Sequence, residues 1–304
     1  MKLTQHTLGK LATVAALGVL AATTAHAADA PAQHPDARAF HVGALDLIAV
    51  HDAQYLPPND GKVFGVGAGS DAVTQVLKSA GAPTDKITLS VDGLVVKTAQ
   101  HIVLIDTGIG AKSGGVLIAS LVLGGVKPAD ITDILITHAH GDHIGGLVGS
   151  DGQLAFPNAT IRLSAAEWTW LQSQGDMADL VKVVAPKVLT FEPGTTVAPG
   201  ITAIAIAGHT PGHVGYEIVS GTSRLLDIGD GAHSSIISLA RPDWVMGYDS
   251  DPAVAEQSRL ALLTQLAKSH ELIFAPHFPF PGVGRILPHK KAFAWKPALN
   301  PGVE

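Results

Sequence analysis

The chain of 304 residues contains no cysteine. Disulfide bonds and thiolate metal sites are therefore excluded, and any metal ion must be held by nitrogen and oxygen ligands. The chain also lacks a basic surplus, because 20 Lys and Arg residues stand against 26 Asp and Glu residues, for a formal net charge of −6. Nucleic-acid-binding proteins carry clustered positive charge, so we expect no nucleic-acid partner.

Long apolar runs are equally scarce, and the one that stands out lies near the N-terminus. Residues 11–22 form an apolar run preceded by two lysines, and Ala25–Ala27 has the small-x-small form of a cleavage site. This pattern predicts a secretory signal peptide over residues 1–27, with a mature domain over residues 28–304. The run is shorter than the roughly 20 apolar residues of a transmembrane helix. The sequence therefore predicts an exported protein, periplasmic or secreted, with no membrane attachment after cleavage.

The first half of the mature chain mixes strand and helix patterns. A strand is predicted over Phe40–Val50, and two or three strands over Ile87–Asp106 with a tight turn at Asp92-Gly93. A helix is predicted over Asp71–Ala80, with Ser70 as its N-terminal cap.

The second half continues the same mixture. A helix is predicted to start near Ser164, a long helix to cover Pro252–His270, and a last strand to cover Leu272–Ala275. The tail beyond Pro279 is rich in Pro and Gly. No shift in composition divides the mature chain, so we expect a single domain.

Potential metal ligands are densest directly after the strand pattern of Ile131–Thr137. His138, His140, Asp142 and His143 lie within six residues there. Imidazoles and a carboxylate crowded together are costly to desolvate unless they bind an ion. This stretch therefore predicts a metal site at the end of a buried strand.

Three further ligand candidates follow later strand patterns. His209 is the first histidine of Gly-His-Thr-Pro-Gly-His, Asp230 follows a glycine, and His277 lies near the end of the chain. The order of these four motifs resembles that of the metallo-β-lactamase superfamily of metal-dependent hydrolases. The resemblance covers essentially the whole mature chain. It implies an α+β fold, an αββα sandwich of two mixed sheets packed face to face with helices on the outer faces and a dinuclear site at one edge.

The resemblance also implies how the ligands divide between two metal ions. One ion would be held by His138, His140 and His209. The second would be held by Asp142, His143 and His277, and Asp230 would bridge both. Such nitrogen and oxygen ligands suit two divalent ions, of which zinc is favoured.

The implied reaction is hydrolysis by a hydroxide that bridges the two ions. Asp142 and Asp230 would be the carboxylates that accept or relay its proton. His213, the second histidine of Gly-His-Thr-Pro-Gly-His, is expected to support the site without binding metal. Asp106, in an Asp-Thr-Gly sequence, is expected to hold the ligand loop by hydrogen bonds; capping of the turn after its strand is the alternative.

Within the superfamily, the chain is most similar to the methyl parathion hydrolase group. The similarity rests on Gly145–Leu147, on Leu154–Ala159 and on the segment His277–Gly284. In that group, aromatic side chains line the pocket for the leaving group. The candidates for this role are Trp170, Phe278 and Trp168, and packing in the helix core is the alternative for the tryptophans.

Other subfamilies fit less well. A lactamase with a cysteine ligand is excluded, and the histidine-only lactamases usually lack the bridging aspartate. The acyl-homoserine lactonases of the well-known type have a tyrosine three residues after that aspartate, where this chain has His233. Only 27 residues follow His277, too few for the helical region of glyoxalase-II-like thioesterases.

We therefore expect a hydrolase for neutral esters, lactones or phosphotriesters. The ligand-bearing loops contain no lysine or arginine to pair with an anionic substrate. A β-lactamase or a quorum-quenching acyl-homoserine lactonase is the alternative on the same fold, followed by a mononuclear iron persulfide dioxygenase and a metal-binding protein without catalysis. The sequence leaves open the physiological substrate, the metal in the cell, the oligomeric state (a homodimer included) and the roles of His233 and His51.

Overall fold

The structure is a computed structural model that describes residues 33–299, so the predicted signal peptide lies outside the described residues. The strands, in chain order, are β1 Ala37–Val42, β2 Leu45–Tyr55, β3 Phe64–Val66, β4 Leu89–Lys97, β5 Ile102–Ile105, β6 Asp133–Leu135, β7 Thr160–Ser164, β8 Val188–Phe191, β9 Thr196–Ala198, β10 Ile201–Ala205, β11 Val214–Ser220, β12 Ser223–Asp227, β13 Val245–Met246, β14 Leu272–Phe274, β15 Val283–His289 and β16 Ala292–Pro297.

These strands form two large mixed sheets. The first has the order β1-β2-β4-β5-β6-β7-β8, antiparallel from β1 to β5 and parallel from β5 to β8. The second has the order β16-β15-β14-β12-β11-β10-β9, and only its β12–β14 pair is parallel. Strands β3 and β13 pair separately.

The helices lie between the strands along the chain. They are α1 Ser70–Ser79, α2 Leu117–Leu123, α3 Gly141–Ile144, α4 Ala165–Ser173, α5 Ala178–Val184, α6 Ile237–Ala240 and α7 Pro252–Ser269. Helix α4 starts next to Ser164, as predicted, and the Ser164 hydroxyl caps it by accepting a hydrogen bond from the main-chain N–H of Glu167 at 3.1 Å. Among the described residues, no helix is both long enough and apolar enough to cross a membrane.

Apolar side chains from the facing sides of the two sheets form the central core, and helices cover both outer faces. Leu94 and Ile105 of the first sheet belong to one buried cluster with Tyr216 and Phe274 of the second. A second cluster joins the outer face of the first sheet to α2 and α4, and a third joins the second sheet to α7. The four layers are therefore helix, sheet, sheet, helix, and the predicted αββα sandwich is confirmed.

The predicted turn at Asp92-Gly93 is wrong, because both residues lie inside β4. Asp92 is buried opposite His51 of β2, and the two side chains are 2.7 Å apart. Gly93 is needed for close packing instead, because a Cβ there would lie 3.3 Å from the main-chain oxygens of Ile105 and Asp106.

The Pro- and Gly-rich tail beyond Pro279 contains a hairpin that the sequence did not predict. Strands β15 and β16 pair antiparallel, and Ile286 of β15 is buried in the cluster that joins the second sheet to α7. The predicted cap of α1 is wrong. Helix α1 begins at Ser70 itself, preceded by Gly69, and no side chain caps it.

Candidate metal centre

Seven ligand candidates converge at one edge of the two sheets. Four of them follow β6, and the others follow β10, β12 and β14. Their ligand atoms form two groups. In each group, all ligand atoms lie within 4.8 Å of one another. The first group is His138, His140, His209 and Asp230, and the second is Asp142, His143 and His277.

In the first group, three imidazole nitrogens face one another. His140 Nδ1 is 3.0 Å from His138 Nε2 and 2.9 Å from His209 Nε2, and the latter two atoms are 3.2 Å apart. Mutual hydrogen bonds cannot satisfy three ring nitrogens at one point, because each neutral imidazole carries a single N–H. A shared cation satisfies all three, so this donor set fits a metal ion.

Asp230 connects the two groups through its two oxygens. Its Oδ2 is 3.1 Å from His209 Nε2, whereas its Oδ1 is 3.3 Å from His143 Nε2 and 3.1 Å from His277 Nε2. Asp230 Oδ1 and His143 Nε2 are both buried without a hydrogen-bond partner. Buried polar atoms of this kind require an explanation, and a bound cation supplies it. The geometry thus fits two metal ions with Asp230 between them.

Burial and neighbouring charges shift the pKa values of these ligand candidates, and the shifts of Asp230 and His140 favour cation binding. Burial opposes ionisation of Asp230, but the surrounding imidazoles outweigh it and hold its pKa well below the usual range. Burial, followed by repulsion from His209, lowers the pKa of His140 to about 4. Burial also disfavours the charged form of His277, yet Asp230 outweighs it and raises that pKa to about 9. A metal ion must displace this proton, because only neutral imidazole binds metal.

Asp106 holds the loop that carries the first ligands. Its Oδ2 is 2.7 Å from His143 Nδ1 and accepts a hydrogen bond from the Thr137 hydroxyl at 2.7 Å, while its Oδ1 accepts from the Thr137 N–H at 2.9 Å. Its φ of 58° is one that non-glycine residues rarely adopt. The contact fixes the ring orientation of His143 and leaves Nε2 to face the metal site. This is the placement expected from the sequence.

His213 supports the site and has no nitrogen left for a metal. Its Nδ1 is 2.8 Å from the carbonyl of Ile206, and its Nε2 accepts the main-chain N–H of Asp230 at 2.9 Å. Burial lowers its pKa to about 3, so it is neutral and carries its proton on Nδ1. The structure therefore places His213 as a positioning residue for Asp230, and its not binding metal stays a prediction.

Two residues behind His209 were not predicted. Asp249 Oδ1 is 2.9 Å from His209 Nδ1, and Asp249 Oδ2 accepts a hydrogen bond from Arg259 at 2.8 Å. Arg259 is itself buried, in α7. A carboxylate behind a metal-binding histidine orients the ring and raises its basicity. No sequence motif points to this pair, because nothing in the spacing of Asp249 relates it to His209.

Glu167 also escaped prediction, although it ties two ligand loops together. Its Oε1 accepts from the Ala139 N–H at 2.7 Å, and its Oε2 accepts from the Thr210 hydroxyl and the Gly212 N–H, both at 2.8 Å. It is fully buried. The Ser-x-x-Glu pattern at the start of α4 suggests a glutamate that caps the helix. Here the side chain instead reaches the loops of His138 and His209.

His233, whose role the sequence left open, lies directly against the metal-binding groups. Its Nε2 is 3.0 Å from Asp230 Oδ2, and its ring centroid is 4.8 Å from that of His209. It is buried. The residue three positions after the central aspartate therefore faces the site.

The three predicted pocket aromatics differ in their contacts. Trp170 and Trp168 both pack partly buried in the cluster beneath the first sheet, and Trp170 also lies edge-on to His140, with ring centroids 5.7 Å apart. Phe278 is a wrong prediction, because it is 0% exposed and packs edge-on against Trp295 at 5.0 Å. Phe280, two residues later, is the aromatic of this loop that lines a cavity.

A profile of the metallo-β-lactamase superfamily matches residues 88–277. The chain therefore belongs to the metallo-β-lactamase superfamily, and its His/Asp cluster is the candidate metal site of that fold. The match begins at β4 and ends at the last ligand, so it contains all seven candidates.

Solved structures and sequence relatives agree with this assignment. AidC, a dizinc quorum-quenching lactonase, is 29% identical, with a TM-score of 0.82 over 88% of this chain and 99% of its own. The hydrolase AbOPH is 28% identical, with a TM-score of 0.80 over 88% of this chain and 99% of its own. An N-acyl homoserine lactonase of Bacillus cereus is 28% identical over 50% of this chain and 58% of its own length. The chain spans 54–66% of the length of the curated relatives it matches.

Proposed function

We propose that this chain is an exported hydrolase of neutral lactones and esters that works with two divalent ions, zinc in the first place. The observation that carries the proposal is Asp230, whose two oxygens face two separate groups of ligands. A site for two adjacent ions favours a hydrolase, because the alternative, an iron persulfide dioxygenase, is mononuclear. The dizinc lactonase AidC, similar over nearly its full length, supports lactone substrates.

Two ions held at this site would lower the pKa of a water molecule and polarise the substrate oxygen. The side chains of the site position the ligand groups and transfer the proton. Asp230, with its main chain fixed by His213, keeps the two ligand groups at a constant separation. The side chain of Asp142 is 35% exposed, against 4% for Asp230. Asp142 is therefore the carboxylate that can pass a proton from the attacking water to solvent.

Substrate choice follows from the pocket wall. Trp170 offers an apolar ring beside His140, and the ligand-bearing loops contain no lysine or arginine. A negative charge brought into such a cleft would lose hydration without gaining a partner. Neutral substrates with apolar groups are therefore preferred over penicillins and glutathione thioesters, which are anionic.

The test is hydrolysis of a chromogenic panel by the zinc-loaded protein. We expect the highest kcat/KM on neutral lactones and aryl esters and little activity on a penicillin or a glutathione thioester. A preference for either anionic class would refute the substrate assignment. Aryl phosphotriesters are the second candidate, favoured by the similarity of Gly145–Leu147 and Leu154–Ala159 to the methyl parathion hydrolase group. The same panel decides between the two.

Trp170→Ala is expected to raise KM for aryl substrates several-fold and to change kcat less. Loss of a pocket wall removes binding that substrate and transition state share, which appears in KM. Trp168→Ala is the matched control in the same helix, because both tryptophans pack in the cluster beneath the first sheet but the ring contact with His140 belongs to Trp170. Its KM should stay unchanged. A fall in kcat alone for Trp170→Ala would show that this ring does not bind substrate.

Export is proposed from the N-terminal sequence. The charged start, the apolar run of residues 11–22 and the Ala-His-Ala site support removal of residues 1–27. Protein recovered from the periplasm or medium of its native cell should then begin at or near Ala28. An intact Met1 on the active protein, seen by mass spectrometry, would contradict the proposal.

A further inference from the structure

A cavity of about 500 Å³ lies beside the metal centre. Its volume falls in the range of roughly 300–1,000 Å³ that small-molecule sites occupy. None of the seven metal-ligand candidates lines it. Ser90 lines the cavity and also contacts a metal-ligand candidate. Its carbonyl is 2.7 Å from His277 Nδ1, on the side of that ring away from Asp230. The apolar part of its wall is Leu77, Pro83, Ile87, Ile236, Pro279 and Phe280.

One polar cluster interrupts this apolar wall. His51 lines the cavity with its side chain 15% exposed, and its Nδ1 is 2.7 Å from Asp92 Oδ1. The same oxygen of Asp92 accepts a hydrogen bond from the Ser90 hydroxyl at 2.8 Å. The ring of His51 is also held edge-on to Phe280, with centroids 5.5 Å apart. Because Nδ1 is engaged by Asp92, Nε2 is the nitrogen of His51 left for a ligand.

The contact with Asp92 favours the protonated, cationic form of His51. The Asp92 side chain is 0% exposed, and its Oδ2 is buried without a hydrogen-bond partner. A buried carboxylate without compensation is costly, so Asp92 favours the protonated form of its imidazole neighbour. Burial disfavours a charged His51, but the hydrogen bond and charge of Asp92, together with the charges of Asp52 and Asp36, outweigh it and raise the His51 pKa. In its protonated form, His51 presents Nε2–H to the cavity.

The remaining charges at the cavity favour an anion. His34, Asp36 and Lys86 also line it. Asp36 is already engaged, since its Oδ1 accepts from the Ala37 N–H at 2.8 Å and is 2.8 Å from the Arg38 guanidinium. Of the charged side chains that line the cavity, Lys86 and His51 are therefore the ones available to pair with a bound anion.

We propose that this cavity is a binding site for an apolar carboxylic acid, with the carboxylate on His51 and the hydrocarbon against Phe280 and Ile236. A charged acceptor gains most from an N–H of an imidazolium, because charge-assisted hydrogen bonds are about twice as strong as neutral ones. The hydrocarbon contributes by leaving water for the apolar wall. The site is separate from the metal centre and does not depend on the proposed activity.

The test is calorimetric titration of the zinc-loaded mature protein with octanoate and, as the uncharged comparison, octanol. We expect one octanoate per chain and at least tenfold weaker binding of octanol. His51→Asn should weaken octanoate at least tenfold and leave octanol nearly unchanged. His41→Asn is the control, because His41 is an exposed histidine of β1 outside the cavity, and it should bind octanoate as the unchanged protein does.

Two further measurements separate this site from the metal ions and from misfolding. Thr88→Trp fills the cavity from its rim, where Thr88 is exposed, and should abolish binding of both ligands without disturbing a buried pair. Chelation of the metal should leave octanoate binding intact. Loss of binding on chelation, with binding retained in Thr88→Trp, would show that the carboxylate sits on the metal ions and would overturn the proposal. Absence of octanoate binding to the unchanged protein at millimolar concentration would overturn it as well.

Discussion

Asp230→Ala is expected to lose at least one of two metal ions per chain and to reduce hydrolysis below detection. Its two oxygens lie within 3.1–3.3 Å of His209 in the first ligand group and of His143 and His277 in the second. Without this carboxylate, two cations would face clustered imidazoles with little negative charge between them. Elemental analysis of the purified variant and rates on a neutral lactone provide the measurement.

His213→Ala is the matched comparison. His213 touches Asp230 only through the main-chain N–H, at 2.9 Å. We therefore expect both ions to remain bound, with an affinity lowered about 10- to 100-fold, as is usual when a residue that orients a ligand is lost. Circular dichroism should show that both variants keep the fold. Equal metal loss from the two variants would mean that the wrong histidine of Gly-His-Thr-Pro-Gly-His has been assigned to the metal.

The ligand candidates could be predicted because each follows a strand and sits in a short motif. The spacing within His138–His143 places several donors on one loop, and strand ends in packed sheets meet at one edge. Asp249 and Arg259 could not be predicted in this way. Their role depends on α7 packing against the loop of His209, which is a tertiary contact without a local pattern.

The aromatic loop shows a different limit of sequence reasoning. Phe278 and Phe280 are two residues apart and both follow His277, and composition does not distinguish them. Packing does, because Phe278 fills the space beside Trp295 in the hairpin that the sequence failed to predict. Once that hairpin covers Phe278, Phe280 is the ring that faces the cavity.

Glu167→Ala is expected to destabilise the protein and to lower its metal content, although Glu167 touches no metal. Its carboxylate holds the Ala139 N–H between His138 and His140, and the Thr210 hydroxyl and Gly212 N–H in the loop of His209. The alanine variant leaves two buried main-chain donors unpaired, and each costs about 1–3 kcal/mol. We therefore expect the free energy of unfolding of the metal-free protein to fall by at least about 2 kcal/mol in urea titrations.

Metal loss should follow from the same change, because the loops that carry three histidines of the first ligand group are then free to separate. Zinc affinity should fall at least about tenfold, the lower end of effects seen for residues that orient ligands. Glu167→Gln keeps the size of the side chain but turns an N–H group toward at least one donor, so it should rescue only part of the loss. Glu192→Ala, at an exposed glutamate after β8, should change neither quantity. A Glu167→Ala variant that unfolds more readily but binds zinc as tightly as the unchanged protein would show that Glu167 stabilises α4 alone and does not position the ligand loops.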